Sequence, residues 1–455
     1  MLQGDKASGL TIGSLWAGIW EISWPMLLVM AFFFLVGFTD IYVAGLISSE
    51  VQAAVGFVDQ LYFLIIIIAN AISIGTLAMV ARSVGSGDRD RAVLIARQSL
   101  LFSVLIASVI SLAGLFFYRD IVILAGFPRD IRDIAGKFLR VFALALGPNY
   151  ILIISNAVFR ASGEVKKPLL TMFIVSICNI AGDFVLVFGL LFFPKMGYTG
   201  IAVSTALSVT AGMVINLFFL TRGWWRAFYS GRWKLSFDLI GRIIRLSWPA
   251  AMLQVAWNAG TIVLYNILGR LGPESITALA SITNGLRIEA VIYLPAFALN
   301  MAASVLVGQN LGAGHPERAE KVGWKIAQAG ALLISLMAAV IFIWAESIAS
   351  AVTKNPSVLA ETTSYLRINM LSEPFMAVSS ILGGGLQGAG DTKGAMWVII
   401  VAMWVIRLPL AYIAALVLHY GATGVWVVMI TSMAAQGLLM ARRFHKGRWK
   451  TSGVD

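Results

Sequence analysis

Two aspartates, an asparagine and a threonine stand at depths where a bilayer-spanning chain holds such groups only for a reason. Asp183 and Asn179 lie one turn apart on one face of Thr171–Leu191, TMFIVSICNIAGDFVLVFGLL. That stretch can cross a bilayer as a helix, since about 20 residues at 1.5 Å rise span roughly 30 Å. Asp40 falls in GFTDIYVAG, in the outer half of the first apolar segment. Asp183 lies about nine residues below the outer end of the fifth segment, and Thr205, in GIAVSTALS, about seven below that of the sixth. The depths agree to within a turn or so. A bare carboxylate there costs several kcal/mol, roughly 2.5–3.5 on the insertion scale, so it faces a protein interior or a water-filled cavity. Two carboxylates, an amide oxygen and a hydroxyl at one level can share a proton, because two close carboxylates cannot both ionise cheaply. They can equally bind a hard cation such as sodium through oxygen. The plainer alternative is a structural aspartate, paired with a neighbouring helix or capping a break in one.

The second half carries its own polar set: Gln254 and Asn258 on the seventh segment, Asn284, Arg287 and Glu289 on the eighth, and Arg407 on the eleventh. Arg287 and Glu289 are two apart on a helix and do not face each other, so each needs another partner. Arg407 is the expected partner of Glu289, and the set serves either a static interhelical ion pair or the handling of substrate and coupling ion. Glu373-Pro374 is a candidate polar kink. The single cysteine, Cys178, excludes an internal disulfide and a CxxC metal site, and within its apolar run it is expected to be buried. HExxH, GxSxG in context, a Walker loop and a DDxxD-like cluster are all absent, and the three histidines are scattered. No catalytic residue and no cofactor is expected, and the chain is not expected to be an enzyme.

The elements that must position these groups are membrane spans. The chain has 455 residues, 59% hydrophobic and 12% charged, with mean hydropathy +0.86. A soluble domain is nearer a quarter charged. Hydrophobic length predicts about twelve helices. They run 16–44, 53–80, 93–118, 135–159, 168–192 and 198–221, then 242–268, 276–307, 322–345, 362–386, 394–418 and 421–441. Residues 1–16 lack a basic n-region followed by an h-region and a cleavage site, so no removable signal peptide is expected. The net charge of +12 would suggest nucleic acid in a soluble protein. Here the bases gather in alternate loops, and positive-inside places both termini in the cytoplasm of an inner-membrane protein. No nucleic-acid partner is expected.

The sequence repeats itself. ARSVGSGDRDRA at 81–92 matches GQNLGAGHPERA at 308–319, and FRASGEVKK at 159–167 matches LQGAGDTKG at 386–394, both at a shift of 227. SWP recurs at 23–25 and 247–249. Since each copy holds six spans, the fold class is all-α, with twelve transmembrane helices in two six-helix bundles related by a parallel pseudo-two-fold. The lobes are 1–221 and 242–455, joined by a basic linker, 222–241, and Gly87 and Gly314 are expected to share one loop conformation. Trp224, Trp225, Phe228, Tyr229 and Trp233 among bases suit an amphipathic stretch at the inner interface, or a solvated connector. The second copy does not repeat the polar set: Asn179 and Asp183 become Ile406 and Leu410.

The layout, with P…GFTDIYVAG, FRASGEVKKP, CNIAGDFVLVFG, LVGQNLGAG and LQGAGDTK, resembles the multidrug and toxic compound extrusion family over essentially the whole chain. The resemblance implies two bundles around a V-shaped cleft and export of organic cations, driven by sodium or proton entry. It places Asp40, Asn179, Asp183 and Thr205 where that family's first-lobe cation ligands stand. Met376 replaces an acid found in one branch, leaving Glu289 as the group that could stand in. The expected protein is a monomeric antiporter in contact with membrane lipid, taking a small-molecule substrate. The alternatives are a flippase for a lipid-linked saccharide and a membrane-embedded enzyme.

Overall fold

The computed structural model describes residues 10–230 and 233–451, and among these every regular element is helical. Arg232 of the linker lies outside the described residues, as does most of the N-terminal segment read for a signal peptide. Among the described residues eleven helices are long and apolar enough to cross a bilayer. Spans one to six are Leu15–Ile47, Ser49–Gly85, Arg89–Leu124, Arg132–Ala161, Lys166–Phe188 and Thr199–Leu220. Spans seven to nine are Phe237–Gly269, Ser275–Gly312 and Pro316–Ile343, span eleven is Thr392–Val417 and span twelve is Gly421–His445.

The tenth expected span, 362–386, is two shorter helices, Pro356–Asn369 and Glu373–Gly388. Proline has no N–H to continue a helix from the preceding turn. Here Pro374 sits in the first turn of the restarted helix, and the Ser372 hydroxyl donates back to the Asn369 carbonyl, 2.7 Å. The kink expected at Glu373-Pro374 is a full break and restart.

The duplicated turns fold alike. Gly87 and Gly314 are both left-handed, at φ +77° and +76°. In the first turn Gly87 N–H donates to the Val84 carbonyl and Asp88 N–H to that of Ser83; in the second Gly314 donates to Leu311 and His315 to Asn310. Every one of these bonds shifts by 227. Gly163 and Gly390 repeat the pattern, with Glu164 donating to Phe159 and Asp391 to Leu386. A left-handed residue just past a helix end satisfies its last carbonyls, and glycine takes that conformation without a Cβ clash.

The chain forms two compact units, Met1–Ile12 with Trp24–Ser247, and Gly13–Ser23 with Trp248–Asp455. In the first unit spans five and six approach closely because glycine stands at the contacts. A Cβ on Gly182 would fall 2.5 Å from Ser204 Oγ, and one on Gly200 2.8 Å from the Val187 nitrogen. Nearer the other end of the unit, Asn216 ties three spans together. Its Oδ1 accepts from Thr171 Oγ1, 2.7 Å, and its Nδ2 donates to Ser155 Oγ and Asn156 Oδ1, both 2.8 Å. All four residues are buried. Interhelical hydrogen bonds in bilayers are worth roughly 0.6–1.7 kcal/mol. Asn216→Ala, which removes several and leaves buried partners unsatisfied, is expected to cost about 2–3 kcal/mol in unfolding measured by detergent titration.

The linker is folded onto the first unit. Gly223–Phe228 is a 3-10 helix, and Trp225 and Phe228 are fully buried, so these two are not lipid-facing aromatics. Trp225 Nε1 donates to Glu164 Oε2, 2.7 Å. Neither the interface nor the solvated-connector reading describes Trp225 and Phe228, because the bundle buries both rings and offers the indole a half-buried carboxylate, while Arg222 and Arg226 beside them stay exposed.

Cys178 is exposed, against expectation. The buried stripe of span five runs through Thr171, Val175, Asn179 and Asp183, whereas Cys178 adjoins the exposed Ile177 and Phe173. Lipid tails are as apolar as leucine, so an apolar run in a membrane protein need not face protein.

In the second unit the second half of span ten packs backbone to backbone on span eight. A Cβ on Gly388 would land on the Ser304 carbonyl, and one on Gly384 on that of Asn300. Tyr365 and Trp426, rings 4.8 Å apart, centre the core. Arg443 grips Asp391 through Nε and Nη2, each 2.8 Å.

Candidate functional site

Spans one, five and six bring the first-half residues together, at the face opposite the Gly87 and Gly163 turns. Asp40 lies seven residues before Ile47, Asp183 five before Phe188 and Thr205 six after Thr199. At 1.5 Å per residue these levels agree within about 3 Å. Thr205 is the junction: it accepts from Asn179 Nδ2, 3.2 Å, and its hydroxyl lies 3.3 Å from Asp40 Oδ2 and 3.1 Å from the Ile201 carbonyl. Ser204, whose hydroxyl also lies within reach of Asp183, donates to the Asn179 backbone carbonyl, 2.8 Å, fastening span six to span five.

Four oxygens remain without a donor. Asp40 Oδ1, Asn179 Oδ1 and both carboxylate oxygens of Asp183 are buried and accept no hydrogen bond. The Asp40 and Asp183 carboxyl groups are close enough to hydrogen-bond once one carries a proton. Buried acceptors are nearly always satisfied, and each orphan costs about 1–3 kcal/mol. A proton shared by the carboxylates, or a cation held by the four oxygens, removes that cost.

Sequence reasoning overlooked Asp59. It is half-buried on span two, within electrostatic range of Asp40 and of Tyr62, whose hydroxyl accepts from Asn149 Nδ2 at 2.6 Å. The available signal was a third acid inside an apolar segment, in GFVDQLY.

The second-half set does not assemble as expected. Glu289 and Arg407 are buried, but they form no direct ion pair. Arg407 Nε donates to Ser432 Oγ, 2.7 Å, Nη2 lies 3.9 Å from Met433 Sδ, and the guanidinium sits 5.2 Å over the Trp257 ring. Span eleven is π-helical over Val401–Arg407 and again over Ile413–Val417, and such wide turns recur at functional sites. Glu289 Oε2 accepts from Tyr293, 3.2 Å, while its Oε1, Glu373 Oε2 and the Tyr365 hydroxyl find no partner. Glu373, at the restart of span ten, is the acid within electrostatic range of both Glu289 and Arg407. Arg287 is exposed on the far side of span eight; Asn284, Gln254 and Asn258 are half-buried, Asn258 Nδ2 donating to the Gln254 carbonyl, 2.9 Å.

The model of the MatE family matches residues 25–185 and again 249–413. The chain belongs to the MatE family. One match falls in each half, as the duplication requires of a MatE chain. Among curated relatives, the probable multidrug resistance protein NorM of Thermotoga maritima is 26% identical over 430 residues, 92% of this chain and 90% of that protein. The uncharacterized transporter YisQ of Bacillus subtilis is 23% identical over 445 residues, 96% of this chain and 95% of its own. A solved crystal structure of a MATE in the bent conformation superposes with TM-score 0.87 at 21% identity, covering 97% of this chain and 98% of that one. A MOP superfamily transporter from Pyrococcus furiosus, described as having a binding pocket of reverse polarity, gives 0.85 at 21% identity, with 97% of each chain covered. The fold is the MATE fold, all-α with twelve spans in two six-span bundles.

Proposed function

We propose that this chain is a secondary-active exporter of small organic compounds, many of them cations, driven by inward movement of sodium or protons. It works as a monomer in the cell's inner membrane, with both termini cytoplasmic, alternating between inward- and outward-open states. The observation that carries the reading is the set of unsatisfied oxygens of Asp40, Asn179 and Asp183 beside Thr205. The relatives named for multidrug resistance support the substrate class.

Loading that site changes the transporter's conformational preference only if the two states bind the ion with different affinity. With both carboxylates ionised, spans one and five repel each other; a proton or sodium between them removes the repulsion. Span one can answer it, because Gly37 and Gly45 bracket Asp40 and weaken the helix there. A saccharide flippase would want several free bases for a pyrophosphate. Arg407 is already engaged by Ser432, Met433 and Trp257, which favours the exporter.

The test is efflux of a fluorescent cation from proteoliposomes under a sodium gradient and a proton gradient imposed separately. Efflux under one gradient and not the other names the coupling ion; efflux under neither sinks the reading. Glu289→Gln is expected to keep the gradient dependence with no more than a few-fold lower rate. Loss of that dependence in Glu289→Gln, with retention in Asp40→Asn, would move the coupling site to the second unit.

A further inference from the structure

We propose that the strap formed by residues 222–230 and 233–237 is an anionic-lipid docking surface, seated in the headgroup layer on the linker's side of the membrane. The strap is rigidly built. Arg97, buried on span three, donates through Nε to the Phe228 carbonyl, 3.1 Å, and through Nη2 to those of Ala227, 3.1 Å, and Ser230, 2.8 Å. Arg89 Nε holds the Trp224 carbonyl, 2.7 Å. Gln98 takes both sides of the next turn, donating to the Lys234 carbonyl, 2.7 Å, and accepting from Ser236 N–H, 2.9 Å. Trp225 and Phe228, inserted into the bundle, add apolar anchors to these hydrogen bonds.

The side chains left outside are of one chemistry. Tyr229, Trp233, Leu235 and Phe237 are exposed, Phe237 at 83%, and beside them stand exposed Arg222, Arg226 and Lys234. None of these three bases forms an ion pair among the described residues. The nearby acids are committed, Asp238 to Arg242 at 3.0 Å and Glu164 to Lys167 at 2.8 Å. The Arg222 guanidinium lies 4.2 Å over the Phe218 ring, and aromatic rings beside bases that lack an acid partner are the composition of the headgroup boundary, where rings bury at the acyl edge and bases meet anionic phosphates. The chain itself selects a membrane over a soluble partner: span six ends at Leu220 and span seven begins at Phe237, so the strap starts and finishes at the membrane surface. This assignment is independent of what the protein transports.

The test uses the full chain with Cys178→Ala and Leu235→Cys, carrying an environment-sensitive fluorophore at 235. The protein is reconstituted in phosphatidylcholine alone or mixed with phosphatidylglycerol. Quenching is compared between nitroxide lipids labelled near the headgroup and aqueous iodide. The expected result is strong lipid quenching that phosphatidylglycerol increases. Arg222→Gln/Arg226→Gln/Lys234→Gln is expected to weaken the preference for phosphatidylglycerol by roughly fivefold per base. Dominant iodide quenching overturns the proposal, as does lipid quenching indifferent to phosphatidylglycerol and to the three bases. Protection from both quenchers also overturns it, by pointing to a protein partner. Thermal melting of each variant in detergent shows whether the bundle is intact; a triple variant that melts as wild type yet keeps the full preference counts against the assignment.

Discussion

Asp183→Asn and Asp40→Asn are each expected to reduce gradient-driven efflux to the level of protein-free liposomes, while the protein still inserts and purifies as wild type. Both substitutions keep side-chain shape and remove one negative charge from the buried oxygen set. Removing one partner of a buried charge pair costs roughly 3–5 kcal/mol. Coupling-ion affinity should therefore fall on the order of a hundred- to several thousandfold. Folding is expected to survive, since a neutral amide is cheaper at this depth than a carboxylate. Efflux at wild-type rates in both variants would remove the site from the mechanism. Thr205→Val is the graded control. It deletes the hydroxyl that stands between Asn179 and Asp40 but leaves both acids in place, and should weaken coupling less than either charge removal.

The second large effect is structural. Gly388→Val is expected to prevent accumulation of a monodisperse protein in detergent, because its Cβ would occupy the position of the Ser304 carbonyl. A backbone atom cannot rotate away, so spans eight and ten must part. Overpacking usually costs about 1–3 kcal/mol, and a backbone collision belongs in the exceptional range above about 4 kcal/mol. Gly56→Ala is the matched control, because nothing lies within 4 Å of the added methyl. Alanine replaces glycine there in a helix interior, worth up to about 1 kcal/mol in its favour. A Gly388→Val protein as heat-stable as Gly56→Ala would show that the two helices are not packed at this contact.

The membrane class, the span order, the duplication and the level of the first-half polar residues are legible in the order of residues alone. Bilayer thickness fixes how long an apolar run must be, and the helical rise converts position within a run into depth. Duplication is written in the repeated turns, where a left-handed glycine is required whatever surrounds it. These are properties of a segment and its neighbours in sequence. Asp40, Asn179, Asp183 and Thr205 can therefore be placed at one level from spacing.

Rotation about each helix axis and the approach of one helix to another were decided only by the tertiary structure. Which oxygens stay unsatisfied depends on Ser204 spending its proton on the Asn179 carbonyl, and on Gly182 and Gly200 letting spans five and six come together. Arg407 turned to Ser432 and Trp257 rather than Glu289 because π-helical turns reset its direction, which no 3.6-residue period foretells. Glu373 joined the second cluster because span ten breaks, and Cys178 faced outward because lipid accepts an apolar side chain as readily as protein does. Depth in a membrane is one-dimensional and follows from position along the chain; partnership between side chains is set by packing, which position along the chain does not display.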